Sequence, residues 1–267
     1  MPLSKIARKP IPKFSRSELN KADLCAKALW YGINYQTGKP CRTSDACLMS
    51  KFAFNFYHFH TTKKRFTPDI IARNIKELIL ACGITNLFRW MAHIDLNKGI
   101  DSFYTDVYPE FLKAQRGPNG INSCQVSIQC LKNLNVGLVK KAKSNQLNLS
   151  SRILFFLSPN LHTFNMNRSV AKFFGLPERP SYHYAEYFEL FSRGMVTNQT
   201  NLSKYKMPSA RDGLDSKTWN EASRTDWWKR RVLDLAVLLY TSPKVTVDPN
   251  LRVYTNRKIK QEELEKP

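Results

Sequence analysis

Apolar residues recur at helical spacing in several stretches of the chain, and no run shows the strict alternation of a half-buried strand. Ser15-Arg-Ser-Glu18 has the form of a capping box, and the pattern continues as a helix through Ala22 to Trp30. Thr67-Pro68-Asp69 marks another helix start, with Ile71, Ile75, Leu78 and Cys82 on one face and Gly83 as its stop. Val126, Cys130, Leu134 and Leu138 trace a further helix. Tyr184, Tyr187, Phe188 and Phe191 share one helical face, and a last helix runs from Asp226 to Tyr240. Residues 193–225 are polar and poor in large aliphatics, so they read as a long loop or flap. The charged stretch after Pro243 reads as a partly mobile tail. The pattern predicts an all-α protein.

The most informative stretch is SSRILFFLSPNLHTFNMNRSVAKFFG, from Ser150 to Gly175. It predicts an apolar helix, a Pro-Asn turn, an irregular link and a second helix opening at Asn167 and Arg168. Free N–H groups at such an opening favour an anionic partner.

Charge sharpens this picture. The 267 residues carry 42 Lys+Arg against 21 Asp+Glu, a net +21. That excess costs self-repulsion and points to a polyanion, with nucleic acid first and an anionic membrane surface second. No apolar run approaches the ~20 residues that span a bilayer. Residues 1–14 are basic without an apolar centre, so they read as a flexible arm rather than a signal peptide, in a cytoplasmic chain. The six cysteines include no CxxC pair, and reduced thiols are expected rather than disulfides or a metal site. No phosphate loop or metal motif is present, and no cofactor is expected. His58-x-His60 lacks further ligands at workable spacing.

Two stretches interleave aromatic and basic residues. Phe52, Phe54, Phe56, Tyr57 and His58 precede Lys63, Lys64 and Arg65, and Trp227 and Trp228 precede Lys229, Arg230 and Arg231. Rings stack on unpaired bases while cations hold phosphates, although alternate Phe residues equally suit a core. One of the two tryptophans is expected in the core and the other as its cover.

Ser151-Arg152-Ile-Leu-Phe-Phe-Leu157-Ser-Pro159 and Met166-Asn167-Arg168-Ser169-Val170-Ala171 resemble the helix-hairpin-helix DNA glycosylase superfamily in order and spacing. Arg231-Val-Leu-Asp234-Leu-Ala is similar to the closing helix of such proteins. Gly38-Lys-Pro40, Thr43-Ser-Asp45, Lys51-Phe52 and Asn55-Phe-Tyr57-His58 resemble phage α-glutamyl/putrescinyl thymine pyrophosphorylases, themselves considered relatives of DNA glycosylases. Together the two resemblances touch about a third of the chain. They imply a glycosylase-like helical domain over residues 15–243, with two lobes and a groove for double-stranded DNA, a charged tail over 244–267, and a monomer.

The departures from the glycosylase pattern matter as much as the match. Where those enzymes open the helix with a catalytic Asp, this chain has Asn167, which carries no charge to offset a positive sugar. Arg152 sits nearest the position of the lyase lysine and cannot form an imine, so strand nicking is not expected. Three functions follow: a monofunctional glycosylase for a modified base, plausibly in phage DNA, a thymine-modifying enzyme, or a DNA binder without chemistry. In the first, Asn167 and Asp45 are catalytic and Asn55, Tyr57, His58 and Arg168 line the base pocket. Ser151, Arg152, Lys63, Lys64 and Arg65 then hold phosphates.

Overall fold

The computed structural model describes residues 9–41, 44–50, 151–152, 155–156, 159, 162–176, 183–209 and 216–264. The predicted helices at 67–83 and 126–138 lie outside these residues, as do Asn55, Tyr57, His58, His60, Lys63, Lys64 and Arg65. The described part is 62% helical and has no strand, in agreement with the all-α expectation. Its named helices are α1 (Arg16–Trp30), α2 (Arg168–Phe173), α3 (His183–Leu202), α4 (Ser216–Ser223), α5 (Trp227–Thr241) and α6 (Leu251–Leu264). Residues 45–50 and parts of 151–156 are also helical.

Helix α5 is central because its residues from Trp227 to Val237 are almost all buried, and α1, α2, α3 and α4 pack around it. Helix α1 starts where the sequence predicts. Ser15 accepts from the Glu18 amide while Glu18 answers to the Ser15 amide, so two orphan donors are satisfied reciprocally. Its far end delivers Trp30 edge-on to Trp227 and Trp228, with ring centroids 6.1 and 6.0 Å away. Both tryptophans of the pair are core residues, so neither is a solvent-facing cover. The Trp228 indole N–H reaches Asp23 at 3.0 Å and Lys27 adds an ion pair at 2.8 Å, which satisfies that buried carboxylate.

Much of the stretch read as one long loop is helical instead. Helix α3 continues from the aromatic face through Leu202, and α4 occupies part of the stretch read as a flap. The continuation is held by the N-terminal segment. Asn198 accepts from the Phe14 amide at 2.8 Å and donates to the Pro12 carbonyl at 3.0 Å, and Ile11 and Phe14 are buried. Gly194 makes this possible, since a Cβ there would stand 2.9 Å from Ile11. Residues 9–14 are therefore a strap on α3 rather than a free arm. Past Pro243 the chain forms α6, which buries Leu251 and Thr255 and packs on α1. No helix among the described residues is long and apolar enough to cross a membrane.

Candidate functional site at the Asn167 helix opening

The described residues of the 151–175 segment follow the predicted course: helical residues at 151–152 and 155–156, a turn at Pro159, an irregular link over 162–167, then α2. An irregular link inside a core must find partners for its backbone. Two tyrosines one turn apart on α3 supply them. The Tyr184 hydroxyl accepts from the Phe164 amide and donates to the Phe164 carbonyl, both at 3.1 Å. The Tyr187 hydroxyl accepts from the Asn167 amide at 3.3 Å and donates to the Asn165 carbonyl at 3.2 Å. Helix α5 pins the same segment from the other side. The fully buried Arg230 donates to the carbonyls of Thr163 (2.6 Å) and Pro159 (2.8 Å), and the Trp227 indole donates to Phe155 (2.9 Å).

Asn167 sits at the N-cap of α2, and its Oδ1 accepts from the Ser169 amide at 2.9 Å and the Val170 amide at 3.2 Å. This corrects the expectation of free N–H groups awaiting an anion, because the asparagine already fills two of them. At the other end, the Gly175 amide donates to Lys172 and the Leu176 amide to Ala171, the paired bonds of a Schellman motif. Gly175 takes the left-handed φ of 70° that this motif needs.

Beneath the link lies a buried ionic cluster. Arg231 Nε contacts Asp45 Oδ2 at 2.8 Å, and its Nη1 contacts Asp234 Oδ2 at 3.0 Å. The Asn165 side chain hydrogen-bonds Asp234, and Arg152 contributes a further positive field. One guanidinium therefore serves two carboxylates. Burial opposes the charge of Arg231, but Asp45 and Asp234 together more than offset it and hold the group charged. Burial raises the Asp234 carboxyl above its ordinary range, because its share of Arg231, with Arg152 and Asn165, returns less than desolvation removes.

A second cluster closes the turn. His162 Nδ1 lies 3.0 Å from Asp226 Oδ2, and Asp226 Oδ1 accepts from Arg230 Nε at 2.8 Å. Burial would raise Asp226, but the His162 hydrogen bond and Arg230 hold it well below the usual carboxylate range. The ring of His162 packs edge-on to Phe164 and Phe188.

Four of the predicted site residues, Asp45, Ser151, Arg152 and Asn167, come together around this link. Ser151 departs from the expected phosphate role: it is fully buried and its hydroxyl accepts the Met166 amide at 2.9 Å, so it braces the link. Asp45 is 6% exposed and engaged by Arg231. Arg168 is exposed at the first position of α2. Asp234, Asn165 and the His162–Asp226 pair were not singled out from the sequence as site residues. The signal for Asp234 was present, as an acid three residues after an arginine within the apolar run of the last helix. Among the cysteines, Cys25 is buried and free, and burial pushes its thiol up to about 12, which suits packing and not nucleophilic work.

No protein-family model, curated protein or solved structure matches this chain.

Proposed function

We propose that this protein binds double-stranded DNA, draws a modified base out of the stack at the Asn165–Asn167 link, and hydrolyses its N-glycosidic bond without cutting the strand. The observation that carries this reading is the meeting of Asp45 with the 151–167 segment through Arg231 and Asp234. Asp45 and Asp234 place carboxylate oxygens beside the link, where they can meet the positive charge that develops on a sugar as its base departs, with Arg231 and Arg152 as their counter-charges. They stand in for the charge that Asn167 lacks. Asp234, with its raised carboxyl, is the group suited to hold or move a proton, while Asp45 is paired directly with Arg231. Arg168 stands at the rim as a phosphate contact.

A second reading is DNA binding without chemistry. It is favoured by the engagement of the Asn167 oxygen in its own helix cap and of both carboxylates by Arg231. A third, chemical modification of a base in place, uses the same frame. The experiment is to incubate the protein with ordinary and phage-modified duplex DNA and then heat in alkali. Strand breaks at abasic sites, absent in the Asp234→Asn and Asp45→Asn variants that still bind DNA, are the expected outcome. DNA of altered mass without breaks supports modification, and bound but unchanged DNA supports the inert reading.

A further inference from the structure

Polar surfaces explain most of what the described helices expose, with one exception at the far end of α2. Large apolar side chains open to solvent among the described residues are Phe173 (42%), Val196 (73%), Tyr240 (47%) and Val253 (46%). The two aromatic ones touch. Phe173 from α2 and Tyr240 from α5 meet edge to face with centroids 5.7 Å apart, backed by Phe174 against Phe173 and Phe14 against Tyr240. Buried rings behind hold the two exposed rings in place, so little freedom is lost when something stacks on them.

The surroundings are cationic. Lys9, at the start of the strap, lies with its Nζ 5.9 Å from the Phe173 centroid. Lys172 is exposed beside Phe173, and Arg168 is exposed at the first turn of the same helix. Fixed aromatic faces framed by lysines form the chemistry that receives unpaired nucleotides, with a base on the ring and its phosphate on the cation.

We propose that Phe173 and Tyr240, framed by Lys9 and Lys172, form a stacking platform for an unpaired stretch of single-stranded DNA. The inference rests on the reading that DNA is the partner, and it adds a surface separate from the carboxylate cluster. Asn167 and Phe173 are the two ends of one short helix, about 9 Å apart along its axis at 1.5 Å per residue. The platform therefore lies close to the Asn165–Asn167 link. It would keep the strand open beside an extruded nucleotide.

The test is fluorescence anisotropy of a short oligothymidylate and of a duplex of equal length with the full chain, at one salt concentration for affinities and over a salt series for slopes. The Phe173→Ala/Tyr240→Ala variant should bind the oligothymidylate roughly 5- to 150-fold more weakly, the range that loss of one stacked base gives. Phe173→Tyr and Tyr240→Phe, which keep the rings, should bind it as wild type does. Lys9→Gln and Lys172→Gln should each lower the salt slope by about 1. Unchanged oligothymidylate affinity in the alanine variant, with duplex binding intact, overturns the platform alone. Wild-type protein that binds neither DNA overturns the wider reading as well. If the alanine variant does not fold, Phe173→Trp decides: quenching beyond that of wild type on adding oligothymidylate supports the platform, and no added quenching rejects it.

Discussion

Asn167 uses its Oδ1 to hold two amides of its own helix, and the polar group left to it is the Nδ2 donor, which does nothing for positive charge. Replacing it by aspartate keeps the cap, because Asp and Asn cap equally well, and places a full charge at the positive end of α2. Urea unfolding of Asn167→Asp should therefore match or slightly exceed wild type, while Asn167→Ala should lose about 1 kcal/mol. A loss in the aspartate variant as large as in the alanine one would contradict the capping role. On the base-release reading, Asn167→Asp should also speed release from a modified duplex, because the oxocarbenium-like centre gains a nearby anion. Asparagine and aspartate are interchangeable to a helix and unlike to a sugar, so the residue type alone reveals the cap but not the chemistry.

At the scale of elements, α5 carries two acids with opposite tendencies. Asp226, at its N-cap, has a carboxyl held below the usual range, whereas burial raises Asp234, two turns on. A lowered carboxyl adds stability that is present above the unfolded value of 3.8 and is lost as pH falls through the folded one. A raised carboxyl acts the other way. Between 3.8 and its folded value the native state holds more proton than the unfolded chain, so stability falls as pH rises through that window. Asp234→Asn should thus flatten the pH dependence of unfolding above about pH 4. Asp226→Asn should flatten it below that point. Parallel urea titrations across pH, compared by slope, check both. If the two variants keep the wild-type slopes, the assignment of these acids fails.

The same elements show what the sequence could and could not reveal. The cap at Ser15, the helix opening at Asn167 and the Tyr184/Tyr187 face depend on residues within one or two turns, and all were legible. The length of α3 was not, since Gly194 and Asn198 look like loop formers until Ile11, Pro12 and Phe14 arrive from far away along the chain. Asp45 was singled out as a candidate carboxylate, and the structure joins it to the link through Arg231, Asp234 and Asn165. Its guanidinium partner, 186 residues on, depends on tertiary packing that no local pattern encodes. Helix α6 was hidden because its face is mostly polar and only residues such as Leu251 and Thr255 turn inward.

For the whole molecule the net charge is +21, and among the described residues burial takes four acids but only two arginines, Arg230 and Arg231, from the surface. Four acids, Asp23, Asp45, Glu186 and Asp234, are buried, and Asp23, Asp45 and Asp234 are matched to internal Lys, Arg or Trp groups. Lys9, Lys13, Arg16, Lys21, Arg168, Lys172, Lys204, Lys206 and Arg252 are exposed. A surface like this should bind duplex DNA mainly through phosphates, with release of condensed counterions as the driving force. Log affinity should then fall linearly with log salt, by about 0.9 per phosphate engaged. If the footprint covers about 6–10 phosphates, affinity drops roughly 10³- to 10⁵-fold between about 50 and 200 mM salt. Anisotropy titrations of a duplex over that range measure the slope directly. Because this attraction ignores sequence, the slope should be the same for ordinary and modified DNA, while any preference for a modified base should survive at high salt, where short-range contacts at the Asn165–Asn167 link remain. A slope near zero would mean that the excess of lysine and arginine serves some partner other than a polyanion.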